Sequence, residues 1–318
     1  MVTVHDIEQA ATRIAPYVHR TPILHSRTLD ALIGATVYFK AENLQKIGAF
    51  KARGAMNAVL QLSDEQAARG VVTHSSGNHA QALAYAAGIR GIGCTIVMPE
   101  NAPRVKVEAT RSYGAAIVFC EGTLQARESA VQEVIERTGA VLIHPYDNDH
   151  VITGQGTATL EFLQELSHRN IQLDILMAPV GGGGLMSGTA IAARGIQPNV
   201  RIIGAEPEAA DDATRGLATG VRQPPKPPTT IADGLRTALS DRTFHYLQSQ
   251  AVHMHTCSEQ AIRTGLRLVM ERLKTVIEPS AAVTLGVMLE HPDLFRGSTV
   301  GVILCGGNLD LQGMDVPV

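Results

Sequence analysis

Residues 175–194, ILMAPVGGGGLMSGTAIAAR, join an apolar run to a helical run through four glycines. The apolar run Ile175–Val180 predicts a buried strand, and Leu185–Arg194 predicts a helix. Consecutive glycines leave their backbone N–H groups unobstructed, and the helix N-terminus behind them favours an anion. Because four glycines lose much conformational entropy and pack little, a purely structural role explains them poorly. We interpret the segment as a phosphate-binding loop made by Gly181, Gly182, Gly183 and Gly184.

Short β-branched runs alternate with helical stretches from residue 70 onward. Strands are predicted at Val71–Thr73, Cys94–Met98, Ala116–Cys120, Val141–His144, Ile175–Val180, Arg201–Ala205 and Val300–Cys305. Helices are predicted at Asn78–Ile89, Arg104–Ser112, Leu124–Arg137, Gly156–Leu166 and Leu185–Arg194, and two more after Ser258 and near Pro279. This alternation is typical of parallel strands buried under helices on both faces. The sequence therefore predicts an α/β fold with open, mostly parallel twisted sheets flanked by helices.

Composition and charge narrow the class of protein. The 318 residues carry a net charge of -3, no block of basic residues and no Trp, so we expect no nucleic-acid partner. The four cysteines form no CxxC pair, which argues against a zinc cage. The N-terminus has no signal pattern, and no apolar run approaches the ~18 residues of a membrane span. We expect a cytoplasmic protein with reduced thiols and no membrane partner.

A lysine lies among small residues in GAFKARG, residues 48–54. Lys51 follows Phe50 at the predicted start of a helix that ends near Leu62. Burial and a helix N-terminus both lower the pKa of a lysine and favour the neutral, nucleophilic amine. On these residues alone, a solvated helix lysine is the simpler interpretation and a covalently reacting lysine is the alternative.

The segment SSGNH, residues 75–79, follows a predicted strand and opens a helix. Two hydroxyls, an amide and an imidazole at a helix N-terminus indicate a site for an anion such as a carboxylate. An ordinary serine N-cap explains the segment equally well.

Carboxylates are concentrated in AEPEAADD, residues 205–212, after a predicted strand. Glu206, Asp211 and Asp212 offer the oxygen ligands that Mg²⁺ or Ca²⁺ prefers, although a solvated acidic turn is the simpler interpretation. Glu206 also follows the glycine loop by about 20 residues, as in a dinucleotide site with an acid for the ribose. Ser187 stands where that pattern requires its last glycine, so an NAD-dependent dehydrogenase is the less favoured alternative.

A cysteine ends a predicted strand in ILCGGNLD, residues 303–310. Gly306 and Gly307 would let a planar ligand approach the backbone after Cys305 closely. A buried structural cysteine is the usual alternative.

Taken together and in this order, five motifs resemble those of one enzyme family. GAFKARG, SSGNHAQALA, GQGT, GGGG and CGGN are similar to the motifs of fold type II pyridoxal-phosphate enzymes. Within that group the match is to serine/threonine dehydratases, serine racemases and 3-hydroxyaspartate ammonia-lyases, and it runs from Thr21 to Asn308.

The resemblance implies a two-domain, tryptophan synthase beta-like fold. Residues 1–69 and 150–318 would form a large cofactor-binding domain, and residues 70–149 a small α/β domain inserted in it. A homodimer is also implied. Because the sequence stops soon after CGGN, we expect no regulatory domain and no isoleucine feedback.

The resemblance further implies pyridoxal 5'-phosphate as the cofactor. Lys51 would carry the cofactor covalently and act as base and acid on one face, with Phe50 beside the ring. Asn78 would hydrogen-bond the phenolic oxygen. Cys305, where many relatives have Ser, would face the pyridine nitrogen, and Gly181–Gly184 would hold the phosphate.

For the substrate, the resemblance implies an amino acid whose carboxylate is surrounded by Ser75, Ser76, Asn78 and His79. Ser76 matches the residue that handles the proton on the face opposite the lysine in racemases. Arg127 aligns with an arginine that can meet a second substrate carboxylate.

A divalent cation, Mg²⁺, Mn²⁺ or Ca²⁺, is implied at Glu206, the Ala210 carbonyl and Asp212, which match the cation site of serine racemases. Two departures favour a lyase over a racemase. Tyr146, in HPYDND, stands where racemases can carry Asn, and Cys305 is a weak proton donor to the cofactor ring.

We therefore expect a deaminating dehydratase that acts on L-threonine, L-serine or L-threo-3-hydroxyaspartate. A serine racemase with side elimination activity is the alternative in the same fold. A dehydrogenase and a catalytically inactive sensor are the more distant alternatives.

Overall fold

The computed structural model describes residues 1–227 and 229–310, in which there are thirteen α-helices and ten strands. The strands are β1 (Ile23–His25), β2 (Thr36–Ala41), β3 (Val71–His74), β4 (Cys94–Pro99), β5 (Ala116–Cys120), β6 (Val141–Leu142), β7 (Ile175–Pro179), β8 (Arg201–Pro207), β9 (His253–Cys257) and β10 (Thr299–Leu304). The helices are α1 (Val4–Ile14), α2 (Arg27–Ile33), α3 (Lys51–Leu60), α4 (Asp64–Ala68), α5 (Asn78–Arg90), α6 (Arg104–Ser112), α7 (Leu124–Thr138), α8 (Asp149–His168), α9 (Gly184–Ile196), α10 (Asp212–Thr219), α11 (Asp241–Ser249), α12 (Glu259–Leu273) and α13 (Pro279–Glu290).

Six strands form the larger sheet, in the order β1–β2–β10–β7–β8–β9. Only the β1–β2 pair of this sheet is antiparallel, and the other neighbours are parallel. β10 pairs with β2 on one side and with β7 on the other, so the last strand joins the N-terminal strands to the strand before the glycine loop. Both ends of the described chain thus build one sheet.

Four parallel strands form the smaller sheet, in the order β5–β4–β3–β6. Neighbouring residues of its strands point to opposite faces. Val72 and Val97 pack against α7, whereas Ile96 and Met98 join the cluster that contains α5. Parallel strands with helices on both faces confirm the predicted fold class. The strands of this sheet lie within residues 70–149, and the division of the chain into two domains stays a prediction.

The predicted strand at Val141–His144 is shorter in the structure, where β6 ends at Leu142. The reason is a turn in which His144 Nδ1 accepts hydrogen bonds from the backbone N–H groups of Tyr146 (3.4 Å) and Asp147 (2.9 Å). Strands β1, β2 and β9 were not predicted from the sequence.

Helix α8 begins seven residues before the predicted start at Gly156 because Asn148 caps it, with Asn148 Oδ1 3.1 Å from the Val151 N–H. The motif GQGT therefore lies inside the helix. A Cβ atom on Gly154 would lie 2.6 Å from Gly54 Cα in α3, and one on Gly156 would lie 2.8 Å from the Gly188 carbonyl oxygen in α9. These glycines let α8 contact both helices backbone to backbone.

A network of buried ion pairs holds α3 against its neighbours through Arg53. Arg53, only 2% exposed, donates to both oxygens of the fully buried Glu42 (2.7 and 2.8 Å) and to Glu161 (2.7 Å) in α8. Lys40, on β2, lies 3.1 Å from Glu161 and donates to the Thr21 carbonyl. Burial alone would raise the pKa of Glu42, but the Arg53 and Lys40 charges hold that pKa below its usual value. Each buried charge therefore has a partner, as burial requires.

Two further observations concern the surroundings of the protein. Cys94, Cys120, Cys257 and Cys305 are all free thiols. Among the helices of the described ranges, none has both the length and the apolar character needed to cross a membrane.

The contact of α3 with α8 predicts that Gly54→Ala destabilises the protein. Alanine is the better helix former by about 1 kcal/mol, yet its Cβ would lie 2.8 Å from the Val151 carbonyl oxygen and 2.3 Å from Gln155 Nε2. Overpacking of this kind costs about 1–3 kcal/mol, so thermal or denaturant unfolding should show a net loss of stability.

The matched control is Gly93→Ala, whose added Cβ meets no atom within 4 Å. We expect this variant to unfold within about 0.5 kcal/mol of the wild type. Equal stability of the two variants would contradict the backbone contact between α3 and α8.

Candidate active site

Backbone contacts bring the segment before Lys51 against the end of β10. The Phe50 N–H donates to the Cys305 carbonyl oxygen at 3.0 Å, and Ala49 forms an antiparallel bridge with Gly306. Lys51 Nζ then donates to the Pro145 carbonyl oxygen, 2.8 Å away and just beyond β6. The Lys51 amine therefore lies between the C-terminal edges of the two sheets, where ligands of parallel α/β sheets bind.

The surroundings of Lys51 favour its neutral form. Burial lowers the pKa of Lys51 to about 8, although the nearby Cys305 and Glu278 oppose this shift. The amine lies 5.1 Å from the centre of the Phe50 ring. Lys51 opens α3, as the sequence predicted, and it combines a helix N-terminus with a lowered pKa. A lysine in this state can act as a nucleophile and as a general base.

The segment Ser75–His79 links β3 to the first turn of α5, at the C-terminal edge of the smaller sheet. Ser75 Oγ accepts a hydrogen bond from the Gly77 N–H at 3.2 Å, and Ser76 is half-buried. The backbone N–H groups of Asn78 and His79 belong to the first turn of α5, which has no intrahelical acceptor for them. The loop can therefore bind an anion through backbone N–H groups and hydroxyls.

The His79 side chain is less suited to binding a carboxylate. Its Nε2 lies 2.9 Å from the Ile143 carbonyl oxygen, so Nε2 carries the proton and donates it there. Burial, with the nearby Lys51 charge, lowers the pKa of His79 to about 3, so the ring is neutral. Within the described residues Nδ1 has no hydrogen-bond partner, and in this tautomer it is an acceptor. What His79 can offer a carboxylate is its backbone N–H.

The glycine loop is buried and closely covered. A Cβ on Gly182 would lie 2.2 Å from the Tyr146 ring, and one on Gly181 would lie 3.0 Å from Leu235 Cα. Gly183, with φ 84°, is the N-cap residue of α9 and supplies no side chain to cap it. The first N–H groups of α9 are thus available to a phosphate.

A carboxylate that the sequence did not indicate lies beside Cys305. Glu278, 5% exposed, immediately precedes α13, and its Oε1 lies 3.7 Å from the Cys305 sulfur. The amide nitrogen of Asn78 donates to both Glu278 oxygens, at 3.1 and 2.9 Å. Asn308 in turn donates to Asn78 Oδ1 at 2.8 Å. The sequence indicates only a helix start at Pro279 here, and no local pattern marks Glu278.

Glu206 and Asp212 lie together beyond β8. The fully buried Glu206 accepts from the N–H groups of Ala213 (3.1 Å) and Thr214 (2.8 Å), and Asp212 accepts from the Leu239 N–H (3.1 Å). Burial raises the pKa of Glu206 to about 8, and the proximity of Asp212 adds to this rise. Burial also raises the pKa of Asp212. Two neighbouring buried carboxylates with raised pKa values are a fitting donor pair for a cation.

The third carboxylate of the acidic segment is engaged elsewhere. Asp211 forms ion pairs with Arg215 (2.8 Å) and Lys226 (2.7 Å). The described part of the chain contains no cluster of three His, Cys, Asp or Glu side chains arranged for a metal, so a cation there would also need oxygens such as the Ala210 carbonyl.

Arg127 lies near the end of β3, close enough to affect the pKa of His74. Its Nη2 donates to the Gly122 carbonyl oxygen at 3.2 Å, while Nε is buried and, within residues 1–227 and 229–310, without a hydrogen-bond partner. A guanidinium nitrogen in this state is suited to an incoming carboxylate.

These residues fit pyridoxal phosphate. Lys51 offers an amine for its aldehyde whose pKa burial lowers to about 8, and the uncapped start of α9 behind Gly181–Gly184 offers N–H groups for its phosphate. Gly306, on which a Cβ would lie 2.7 Å from Glu278 Oε1, has no room for a side chain beside Cys305.

Comparisons with known proteins identify relatives in sequence and in structure. A family model described as pyridoxal-phosphate dependent enzyme matches residues 14–306. The serine racemase of Dictyostelium discoideum is 46% identical over 98% of this chain and 97% of its own, and the beta-hydroxyaspartate dehydratase of Paracoccus denitrificans is 45% identical over the same shares. The structure of maize serine racemase superimposes with a TM-score of 0.94, at 43% identity over 98% of this chain and 95% of that one. The chain belongs to the family of pyridoxal-phosphate dependent enzymes.

Proposed function

We propose that this protein is an ammonia-lyase that uses pyridoxal phosphate to convert a β-hydroxy amino acid into a 2-oxo acid and ammonia. The observation that carries the proposal is the Lys51 amine, with a pKa lowered to about 8, held between the segment Ser75–His79 and the end of β10. Relatives named for β-hydroxyaspartate dehydratase and hydroxyaspartate ammonia-lyase activity support it. Racemisation of serine is the alternative, supported by relatives named serine racemase.

The roles of the side chains follow from their positions. When bound, pyridoxal phosphate withdraws electrons from the α-carbon of the amino acid. Lys51, neutral to a useful extent near pH 8, would accept the α-proton at Nζ. The N–H groups at the start of α5, with the hydroxyls of Ser75 and Ser76, would hold the substrate carboxylate. The N–H groups of the glycine loop would hold the phosphate, and Phe50 would lie beside the ring.

The substrate class depends on Arg127. L-Threonine and L-serine have a single carboxylate, so they need no positively charged side chain in addition to the N–H groups and hydroxyls of Ser75–His79. L-threo-3-Hydroxyaspartate carries a second carboxylate, and the buried Nε of Arg127 would bind it with a charge-assisted hydrogen bond.

Tyr146 and Cys305 favour elimination over racemisation. The Tyr146 ring lies on Gly182 and meets the His144 ring edge to face at 4.6 Å, so it fills space beside the phosphate loop. Burial raises the pKa of Tyr146 to about 12, which keeps its phenol neutral. A thiol at Cys305 donates a proton to the ring less fully than a carboxylic acid would.

The proposal includes a divalent cation, a cytoplasmic location, a homodimer and the two-domain division of residues 1–69 and 150–318 from 70–149. Glu206, the Ala210 carbonyl and Asp212 would bind Mg²⁺, Mn²⁺ or Ca²⁺, and four free thiols are consistent with a reducing compartment. A second subunit would cover Leu44 and Val276, which are 47% and 45% exposed on neighbouring segments.

Ser76→Ala separates the lyase from the racemase. Racemisation needs a proton donor opposite Lys51, whereas elimination needs only Lys51 and help for the leaving hydroxyl. We expect Ser76→Ala to abolish formation of D-serine from L-serine while pyruvate release survives better. Chiral analysis beside a pyruvate assay measures both products.

Lys51→Ala is the control and should lose both activities by at least about 10²–10⁴-fold, together with the yellow colour of the bound cofactor. If the wild type accumulates D-serine faster than pyruvate, the protein is a racemase and the lyase proposal is wrong.

Arg127→Ala tests the substrate class. Loss of a charge-assisted hydrogen bond costs about 1.5–3 kcal/mol, so kcat/KM for L-threo-3-hydroxyaspartate should fall about 10- to 100-fold while that for L-serine changes little. Arg137→Ala, in the last turn of the same helix, is the matched control and should affect neither substrate. Equal losses on both substrates would give Arg127 a structural role only.

Removal of divalent cations should lower stability and activity together, because the cation would hold the loop beyond β8 rather than touch the substrate. We expect EDTA to lower the Tm and the elimination rate of the wild type, and Mg²⁺ to restore both. Asp212→Asn should remove this sensitivity, whereas Asp211→Asn, at the carboxylate paired with Arg215 and Lys226, should keep it. An unchanged Tm and rate after thorough chelation would refute the cation site.

A further inference from the structure

A chain of buried polar groups ends at Cys305. Glu278 Oε1 lies 3.7 Å from the Cys305 sulfur, and the same carboxyl accepts both hydrogen bonds from the Asn78 amide nitrogen. Asn308 fixes the orientation of Asn78 because its amide nitrogen donates to Asn78 Oδ1 and to the Ile47 carbonyl, each at 2.8 Å. The Glu278 carboxyl is thus held in one position against the thiol.

The backbone at Gly306 lies close to the Glu278 carboxyl. A Cβ on Gly306 would lie 2.7 to 2.9 Å from the three carboxyl atoms of Glu278. The Glu278 N–H also donates to the Gly306 carbonyl oxygen at 2.9 Å, which ties the start of α13 to the residue after Cys305. A side chain at position 306 would therefore displace this carboxyl.

Burial and the charged groups around Glu278 bring the pKa of its carboxyl close to neutral pH. Burial raises the pKa of Glu278 to about 7, and Asp233 adds to the rise. The hydrogen bonds from Asn78 and Cys305 and the charge of Lys106 act in the opposite direction, and Lys51 is near enough to be affected by the Glu278 charge. Burial and the Glu278 charge together raise the pKa of Cys305, so the thiol keeps its proton.

We propose that Glu278 is a positioning residue that supplies, through the Cys305 thiol, a proton shared with the pyridine nitrogen of the cofactor. The inference rests on the proposed orientation of Cys305 towards that nitrogen. It deepens the proposed function because a ring protonated through Glu278 and Cys305 withdraws electrons more strongly than Cys305 alone would allow, so that the preference for elimination then rests on Tyr146 and on the weak acidity of the Ser76 hydroxyl.

The relay has two states with the same number of protons. In the structure the Cys305 S–H donates to Glu278. In the first state, with the ring bound, this S–H would turn to an unprotonated pyridine nitrogen, and the O–H of a protonated Glu278 would donate to the sulfur. In the second, the thiol proton has passed to the nitrogen and the carboxyl proton to the sulfur, which leaves a Glu278 carboxylate and a protonated ring. A thiol alone lacks the second state, because burial, the largest cause of the raised pKa of Cys305, disfavours the thiolate that would remain beside a protonated ring.

Nitrogen NMR of the holoenzyme tests the relay without any substrate. The protein is loaded with pyridoxal phosphate labelled with ¹⁵N in the ring, and spectra are recorded at pH 7. We expect the wild-type signal to be displaced towards that of a protonated pyridine, and the Glu278→Gln signal to lie at the unprotonated position. Glu290→Gln, at the other end of α13, is the matched control and should leave the wild-type signal unchanged.

Cys305 variants keep the test decisive if Glu278→Gln does not retain the cofactor. Cys305→Ala interrupts the relay and should give the unprotonated signal, whereas Cys305→Ser keeps an O–H at the same place and should restore part of the displacement. A wild-type signal at the unprotonated position, or the same signal in wild type and Cys305→Ala, would overturn the proposal. Because no amino acid is present, failure of the lyase assay would leave this result intact.

Discussion

The buried guanidinium of Arg53 is the constraint on which the site depends. It lies two residues after Lys51 in α3 and binds Glu42 at the end of β2 and Glu161 in α8. Breaking a buried ion pair by removing one partner costs about 3–5 kcal/mol, since the remaining charge stays buried without compensation. The position of the reactive amine is therefore set by the buried charges of Arg53, Glu42 and Glu161. Among the described residues, the amine itself has one hydrogen bond, to Pro145.

Helix α3 also joins the two halves of the site. Its residues Ala52, Met56 and Val59 belong to the apolar cluster that contains Leu83 of α5, while Gly54 meets α8 backbone to backbone. The first contact fixes Lys51 relative to the segment Ser75–His79, and the second fixes it relative to the larger sheet. Since the glycine loop and the end of β10 belong to that sheet, one helix relates all the groups that would touch cofactor and substrate.

Local patterns predicted most of this arrangement. The strand, glycine loop and helix of residues 175–194 were recognisable because neighbours in sequence are neighbours in space. For Lys51 the local pattern gave only the helix start, and its proposed role came from the resemblance of five motifs taken together. Glu278 was not recognisable, since its partner Asn78 is 200 residues away. β2 was missed because Lys40 interrupts its apolar pattern, and the groups that compensate this lysine, Glu161 in α8 and the Thr21 carbonyl, are distant in sequence. The resemblance placed His79 at the substrate, but its tautomer depends on a carbonyl oxygen that no local pattern reveals.

The protonation states of His79 and His144 affect whether elimination or racemisation prevails. His79 is neutral, and its N–H is committed to Ile143. Burial lowers the pKa of His144 to about 4, so this ring is also neutral, with Nδ1 occupied by backbone N–H groups. Neither imidazole is then a cationic acid at neutral pH. Under the proposed function, the Ser76 hydroxyl is left as the group that would return a proton on the face opposite Lys51. The Ser76 hydroxyl is a weak acid, whereas Lys51, which would remove the α-proton, is a base whose pKa is lowered by burial. This asymmetry favours loss of the β-hydroxyl over inversion of the α-carbon.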